Sequence, residues 1–450
     1  MLFWFQGGNV IKGESKWVKI VLLILLCIYI TLCGTYFVFH GNEGIRGSFE
    51  NFDNDDVKYL RSAWTLLENG RFTYKDPNAD TVFIMPGITV VLAAFVAVFG
   101  KYPILQFKIF QALLGAACLY MIFLSGKKLF STGAALIATG LMAFYAPSIY
   151  ITGTLLTEVC FYFLFLLTFY HTINALQTKR MKYYIIGGIF LGFSVLFRPP
   201  VVLALPMAVL FVWIIKKYKF MEMLKFGSAV VGVVIVILSP WIIRNAVLFK
   251  EFIPLTKSSG NPAFQGTFIN YDRSVEQSEN IDYYDIIKRQ IDIDVDKYGS
   301  DEIVDNAVES QMTRIRFDRV IKKQPIKYLH WYTVGKTIMN FKNPFLWVVL
   351  FNISVEKLNK QHFLLLISGI VGLILLFITG KKNRDGVKLF PAFCVLFFNI
   401  SYLPFYCFPR YMFPIIFCFA LYGAYFLNKT VFWCVRSMKK GVIRLFGTTC

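Results

Sequence analysis

Three aspartates with the chemistry of a general base lie in the stretch NFDNDDVKYLRSAWTLLENGRF, residues 51–72. Asp53, Asp55 and Asp56 follow the first long apolar run of the chain, so they lie near the end of a predicted membrane helix. A carboxylate at the lipid–water boundary can take a proton from a substrate hydroxyl. It can equally cap a helix that begins at this point. The local sequence leaves both interpretations open.

The residues after these aspartates have the spacing of an amphipathic helix. Apolar side chains recur three and four positions apart, which favours a helix along the outer surface of the membrane domain; they are Tyr59, Ala63, Leu66 and Leu67. Asp53 or Asn54 is the expected cap, and Gly70 is the expected end. This helix would begin with carboxylates at its positive end.

A fourth acid and three arginines are predicted at the same side of the membrane. Glu158, in TGTLLTEVCFYF, is the only acidic residue between positions 81 and 221. An ionisable group within a membrane domain is a functional candidate by default. A carboxylate stabilised by the helix dipole is the competing interpretation.

The three arginines would form an anion site at the outer face. They occur in the motifs LFRPP, SPWIIRN and FPRYMFP, as Arg198, Arg244 and Arg410. A guanidinium group matches phosphate oxygens in a bidentate manner, so these residues indicate a phosphate-bearing ligand. Arginines that reach towards lipid headgroups are the alternative.

Composition places these residues in a polytopic membrane protein. The 450 residues are 56% hydrophobic and only 16% charged, against about a quarter charged in soluble domains. Apolar runs such as 21–39 and 363–380 are long enough to cross a bilayer, which needs about 20 residues. We therefore predict an all-α polytopic fold.

The charge distribution predicts the orientation. Eight of the 27 acidic residues lie in 40–82 and fourteen in 250–330, whereas basic residues dominate elsewhere. This is the positive-inside pattern, so we place both termini in the cytoplasm of a plasma-membrane protein and the two acidic segments outside. The net charge of +20 thus reflects topology and predicts no nucleic-acid partner.

About ten transmembrane helices satisfy this parity. They are predicted at 18–39, 104–124, 131–149, 154–174, 225–248, 362–380, 387–405 and 411–428, with two more from 183–215 broken at FRPP, where proline ends a helix. The apolar run 83–100 breaks the parity, so we interpret it as an interfacial helix. An ordinary span is the alternative for 83–100. Residues 330–353 are too polar to span comfortably and also suit an interface.

Three regions follow from this topology. Residues 1–249 form a transmembrane catalytic module with the outer loop 40–82, residues 250–360 form a small extracytoplasmic segment, and residues 361–450 form the last helices and a basic cytoplasmic tail.

Metal-binding signals are weak. The nine cysteines lie mostly in apolar runs and no pair has metal-site spacing. The DIDVD stretch at 292–296 lacks the downstream Gly and Glu of a calcium loop. We predict no metal site from the sequence, although a divalent metal near Asp55 and Asp56 stays open.

The order of the motifs resembles a known family. NDDVKYLRSAWTLLENGRF, MPG, TGTLLTE, FRPP, PWIIRN with GNPAFQGT, and RYMFP follow one another as in the GT-C superfamily of membrane glycosyltransferases. The nearest branch contains the protein O-mannosyltransferases and the lipid A aminoarabinose transferases. The MPG segment, residues 85–87, departs from relatives that carry two prolines and a Lys.

The resemblance implies an inverting transferase of hexosyl or pentosyl groups. Its donor would be a polyprenyl-phosphate sugar, and its acceptor a glycan, lipid or protein outside the membrane. It places Asp55 as the base, with Asp56 adjacent and Glu158 as the second acid. Arg410 and Arg244 would hold the lipid phosphate. The remaining substrate-binding candidates are Tyr59, Arg198, Asn245 and Tyr411.

Two other functions compete with glycosyl transfer. A flippase or transporter of lipid-linked sugars would carry polar groups at mid-membrane on facing helices, whereas the polar groups here cluster at one face. A glycan polymerase or ligase would use the same carboxylate and arginine site with a longer donor.

Overall fold

The structure is a computed structural model that describes residues 13–275, 281, 283, 301–379 and 385–430. All regular structure within these ranges is helical, which confirms the predicted all-α class. In chain order the helices are α1 (Lys16–His40), α2 (Asp55–Asn69), α3 (Gly87–Phe99), α4 (Ile104–Leu129), α5 (Thr132–Ala143), α6 (Ala146–Tyr150), α7 (Glu158–Thr178), α8 (Met181–Val195), α9 (Val201–Ile215), α10 (Phe220–Phe249), α11 (Gly260–Gly266), α12 (Asp301–Arg319), α13 (Pro325–His330), α14 (Lys336–Phe341), α15 (Val355–Thr379), α16 (Phe390–Tyr402) and α17 (Pro409–Thr430).

Six of these helices are long and apolar enough to cross a membrane: α1, α4, α7, α10, α15 and α17. The bent pair α5 and α6 is a seventh candidate span. Helices α8 and α9 have 15 residues each, or roughly 22 Å, which is short of a ~30 Å hydrocarbon core. Each segment predicted to span contains helix, but the count of ten crossings stays a prediction.

Two predicted helix breaks have different outcomes. The break at FRPP is confirmed, because α8 ends at Val195 and α9 begins at Val201. The single helix predicted at 131–149 is wrong, because α5 and α6 meet at a bend of 65°. Pro147 lies in the first turn of α6, where its missing N–H is tolerated. Tyr145, the residue before α6, has an extended backbone conformation.

The centre of the helix bundle is built from α4 and α7. The apolar windows of these two helices are 72% and 83% buried, whereas those of α1 and α10 are only 22% buried. The peripheral helices therefore present their apolar side chains to the surroundings, as lipid-facing helices do.

Helices α2 and α3 lie together before α4. Helix α3 has 13 residues, or roughly 20 Å, and packs against α2. Its first residue, Gly87, donates its backbone N–H to the carbonyl of Leu196 at 2.8 Å. A Cβ atom at Gly87 would lie 2.6 Å from that oxygen, so the close approach requires glycine. The interfacial placement of 83–100 stays a prediction.

The segment after α10 lies against the first outer loop. Glu302 of α12 accepts hydrogen bonds from the Thr81 hydroxyl at 2.6 Å and from the Lys75 N–H at 3.2 Å. The DIDVD stretch and the basic C-terminal tail lie outside the described residues.

The basic turns predicted to be cytoplasmic are joined to one another. Glu14, before α1, forms an ion pair with Lys127 at the end of α4. Lys216, after α9, lies 3.7 Å from Asp385, before α16. These contacts are consistent with the predicted common face.

Candidate functional site

Helix α2 presents Asp55 at its first turn. The Asn54 side chain accepts the N–H of Asp55 at 2.8 Å, and Gly70 ends the helix in the left-handed region with φ 70°. Both ends were predicted from the sequence. The inner face buries Leu60 and Ala63, whereas Leu67, predicted on the apolar stripe, is 48% exposed. Asp55 is thus fixed at the positive end of a well-anchored helix.

Glu158 is the acid at the start of α7, and its side chain is fully buried. The Arg198 guanidinium, in the turn between α8 and α9, donates to Glu158 through Nη2 and to the Thr157 hydroxyl at 3.1 Å. The helix break at FRPP therefore places Arg198 against Glu158. A buried carboxylate needs such a partner, because an unpaired charge in the interior is costly.

Arg410 joins the two acids. Its Nε donates to Glu158 and its Nη1 donates to Asp55 at 3.1 Å. The guanidinium carbon lies 5.8 Å from the centre of the Trp347 ring and 6.0 Å from that of Phe345. One arginine thus bridges positions 355 residues apart in sequence, and two carboxylates face two guanidinium groups. Asp55, Glu158, Arg198 and Arg410 are called the charged cluster below.

Asp55 differs from Glu158 in exposure and partners. Its side chain is 38% exposed, so a substrate can reach it. The Tyr74 hydroxyl donates to Oδ1 of Asp55, and Arg410 binds Oδ2. Burial opposes ionisation, but Arg410 and Tyr74 together hold the pKa of Asp55 below its usual value. Asp55 is therefore an ionised carboxylate at neutral pH.

Two atoms of the charged cluster make no hydrogen bond within the described part of the chain. They are Oε2 of Glu158 and Nη1 of Arg198, both buried. Buried polar groups normally have a partner. These atoms give the cluster spare capacity for a ligand or for water.

Two predicted tyrosines lie beside the charged cluster. Tyr59 is buried on α2, with its ring centre 5.7 Å from that of Tyr74. Tyr411 follows Arg410 and stacks on Tyr402 at 4.8 Å with an interplanar angle of 9°. Both rings form walls of the cluster, and their predicted contact with substrate stays a prediction.

The hydrogen bonds of the Asp56 side chain go to backbone N–H groups and not to Arg410 or Glu158. Its carboxylate accepts the backbone N–H groups of Arg46 at 2.6 Å, Gly47 at 3.2 Å and Val57 at 2.8 Å. Burial raises the pKa of Asp56 in spite of these three donors. The side chain connects the loop before α2 to the helix, which is a positioning arrangement.

Arg244 and Asn245 form a separate contact near the end of α10. Arg244 donates to Asp80 at 3.0 Å and to the carbonyl of Thr81 at 3.0 Å. Asn245 donates to the carbonyl of Ile253 at 3.0 Å. The structure therefore brings Arg198 and Arg410 together and leaves Arg244 to fasten the first outer loop to α10.

Sequence reasoning missed several neighbours of the charged cluster. Tyr74 lies in a polar loop 19 residues after Asp55, and Thr157 precedes the predicted acid without a distinguishing pattern. Phe345 and Trp347 lie in a stretch predicted only as interfacial. A tyrosine or tryptophan in a loop is common, so no sequence signal separates these residues from ordinary ones.

Within the described ranges, no group of three or more His, Cys, Asp and Glu side chains is arranged to hold a metal ion. The charged cluster contains two acids and two arginines. Guanidinium groups repel a divalent cation, so these four residues fit an anion rather than a metal.

The fold and part of the sequence are similar to known membrane glycosyltransferases. Residues 85–243 match the family model described as Dolichyl-phosphate-mannose-protein mannosyltransferase. No protein of curated function matches the chain.

Solved structures of the Archaeoglobus fulgidus oligosaccharyltransferase resemble this chain over nearly its whole length. The apo form has a TM-score of 0.58 at 16% identity, covering 98% of this chain and 53% of that one. The complex of AglB with an inhibitory peptide and a dolichol-phosphate has a TM-score of 0.56 at 14% identity, covering 96% and 52%. This chain thus spans about half the length of these structures.

ArnT from Cupriavidus metallidurans bound to undecaprenyl phosphate is similar at a lower level. The TM-score is 0.41 at 12% identity, covering 93% of this chain and 79% of ArnT. The predicted resemblance to GT-C membrane glycosyltransferases is confirmed by the match to the family model together with the fold shared with the oligosaccharyltransferase.

Proposed function

We propose that this protein, which has the fold of the GT-C membrane glycosyltransferases, moves a sugar from a polyprenyl-phosphate donor to an acceptor at the outer face of the membrane, with inversion. The observation that carries the proposal is the charged cluster. An ionised and partly exposed Asp55 touches an arginine that also binds a buried acid. This arrangement supplies a base and an anion site side by side.

Asp55 would act as the general base. The acceptor hydroxyl oxygen attacks the anomeric carbon of the donor while its proton passes to the carboxylate of Asp55. The bond between the anomeric carbon and the phosphate oxygen breaks, and the phosphate leaves with the electron pair. Attack from the side opposite the phosphate inverts the anomeric configuration.

Arg410 and Arg198 would stabilise the leaving phosphate. The lipid phosphate gains negative charge as its bond to the sugar breaks, and guanidinium groups placed in advance stabilise that charge in the transition state. Glu158 binds both arginines, so it holds them in place and lowers the cost of bringing two cations together. Nη1 of Arg198 makes no hydrogen bond to the described residues and can donate to a phosphate oxygen.

The comparisons support a lipid-linked donor. The matched family model is described by dolichyl-phosphate-mannose, and AglB has been solved with a dolichol-phosphate and a peptide. We infer a polyprenyl-phosphate sugar as donor for this chain. We derive no step through a metal, because two arginines occupy the positions next to the acids.

The orientation is part of the proposal. Basic clusters surround one end of the bundle, and ion pairs join several of them. The positive-inside rule places that end in the cytoplasm, with both termini, and the charged cluster at the opposite, extracytoplasmic side of the plasma membrane.

Mass spectrometry of lipid-linked sugars and surface glycans tests the function. Cells carrying the chain are compared with cells carrying Asp55→Asn, with Asp53→Asn as the control because the Asp53 side chain accepts the N–H of the nearby Ser48 and lies outside the charged cluster. We expect a polyprenyl-phosphate monosaccharide to accumulate with Asp55→Asn while one surface product loses a single sugar. Accumulation of whole assembled glycans on a carrier would instead favour a flippase, polymerase or ligase.

A further inference from the structure

A cavity of about 360 Å³ lies next to Arg410 and has no role in the mechanism above. It is formed by the stretch between α14 and α15, the first turns of α15, and the residues just before Arg410. Its volume is at the lower end of the range for small-molecule sites, roughly 300–1,000 Å³. This space is called the outer cavity below.

The outer cavity is neutral and rich in aromatic rings. Phe345, Trp347 and Phe408 line it, and the polar side-chain groups among its described lining residues are the indole N–H of Trp347 and the amides of Asn343 and Asn359. None of the described lining residues carries a formal charge. It therefore has no cation for a phosphate or carboxylate and no carboxylate for an amine.

The two amides are available for a ligand. Neither Asn343 nor Asn359 makes a side-chain hydrogen bond to the described part of the protein, and each amide can both donate and accept. An aromatic face with a few amides suits a sugar ring, because the ring presents C–H groups on its faces and hydroxyls around its edge.

The aromatic wall of the outer cavity lies next to the charged cluster. Trp347 and Phe345 line the cavity and also lie 5.8 Å and 6.0 Å from the Arg410 guanidinium carbon. Arg410 in turn donates to Asp55 at 3.1 Å. An aromatic ring and Arg410 therefore lie between a molecule in the cavity and the candidate base.

The rim of the outer cavity reaches the surface. Asn343 and Val349 are exposed, and the flanking residues Lys342, Glu356 and Lys357 are exposed and charged. Charged side chains of this kind face water rather than lipid tails. A ligand bound in the cavity can thus continue outwards into water.

We propose that the outer cavity binds a neutral sugar ring of the acceptor, so that the acceptor of this enzyme is a glycan. The inference rests on the proposed function and names the substrate class of the same site. An acceptor needs a ring held beside the charged cluster and an exit towards water, and the cavity offers both. A donor needs its phosphate on the arginines and its lipid tail in the bilayer, neither of which the cavity provides.

Direct binding and kinetics test the assignment. The probes are neutral methyl hexopyranosides. Their binding to the whole detergent-solubilised protein is measured by saturation-transfer NMR. The variants are Trp347→Ala and Asn359→Ala, the second of which does not contact Arg410. Trp17→Ala is the control, because Trp17 is 76% exposed at the start of α1. Melting temperatures establish that each variant is folded.

We expect both cavity variants to weaken hexopyranoside binding by about tenfold, the scale of one lost aromatic or hydrogen-bonding contact. In transfer assays the KM for a neutral oligosaccharide acceptor rises by a similar factor, whereas the KM for the donor is unchanged. Binding that is unaffected in folded Trp347→Ala and Asn359→Ala overturns the proposal.

Other outcomes identify a different occupant. A raised KM for the donor alone assigns the outer cavity to the donor sugar and overturns the proposal. Transfer to a threonine-containing peptide, with no transfer to any oligosaccharide, also overturns it. If hexopyranosides bind through Trp347 but no lipid-linked sugar is ever transferred, the cavity is a sugar-binding site, whereas the proposed function and the acceptor assignment that rests on it both fail.

Discussion

At the scale of single residues, the carboxylates of Asp55 and Glu158 differ in exposure and in their partners. Asp55 is partly exposed and touches one arginine, whereas Glu158 is fully buried and touches two. We propose that the exposed acid exchanges a proton with a substrate, and that the buried acid positions the two arginines that it binds.

Replacing Asp55 separates chemistry from folding. We expect Asp55→Asn to lower kcat by about 10²–10⁴-fold, because general-base catalysis contributes about this much. Transfer of a radiolabelled sugar in purified protein measures the loss, and Asp53→Asn is the matched control. Full activity of a correctly inserted Asp55→Asn protein would contradict the role of Asp55 as base.

The Tyr74 hydroxyl predicts a pH effect. It donates to Asp55 and helps to lower the pKa of that carboxyl, so Tyr74→Phe raises that pKa. Because the ionised form is the base, the acid limb of the kcat/KM profile moves to higher pH in Tyr74→Phe. Tyr145→Phe is the control, since the Tyr145 hydroxyl bonds His362 away from the charged cluster. An acid limb that stays in place would contradict the assignment of that limb to Asp55.

Asp56 is expected to act through position rather than chemistry. Asp56→Ala leaves three backbone N–H groups without their acceptor, which costs about 1–3 kcal/mol of stability. Asp56→Asn keeps one acceptor oxygen and should retain transfer within about tenfold of the parent protein. Melting temperature and transfer rate are measured together. An Asp56→Asn protein that is folded and as inactive as Asp55→Asn would show that Asp56 takes part in catalysis.

At the scale of elements, close helix packing brings the arginine of α17 to the acids. A Cβ atom at Gly372 of α15 would lie 1.9 Å from the carbonyl oxygen of Tyr422 in α17, and one at Gly369 would lie 2.7 Å from Phe419. Small residues allow helices in a membrane to approach closely in this way. This contact fixes α17, which carries Arg410 at its first turn.

Gly372→Ala tests this packing. The added methyl group meets backbone atoms that cannot move aside, so we expect a loss of about 1–3 kcal/mol and a lower melting temperature. Gly34→Ala is the control, because nothing lies within 4 Å of a Cβ at Gly34 in α1. Equal melting temperatures of the two variants would show that the contact of α15 with α17 does not determine the stability of the fold.

At the scale of the whole molecule, the predicted topology places the charged cluster outside and the basic turns inside. Lys127→Cys should react with a membrane-impermeant maleimide only after the membrane is opened, whereas Glu50→Cys, in the outer loop, should react in intact cells. Labelling of the parent chain gives the background from native cysteines. Reaction of Lys127→Cys in intact cells would make 83–100 an ordinary span and reverse the orientation after it.

The sequence alone determined the class of fold, the position of most helices and the residues of the charged cluster. Apolar runs, the FRPP break and the cap of α2 are local features, and local physics sets them. The two acids and two arginines were also recognisable, because charges are rare in membrane segments.

Only the tertiary structure decided which of these residues meet. Arg410 reaches Asp55 across 355 positions, Arg244 instead binds Asp80, and Asp56 turns to backbone N–H groups. It also added Tyr74 and the aromatic wall of Phe345 and Trp347. The physical reason is that the direction of a side chain depends on how distant helices pack, and no local pattern in the chain records that packing.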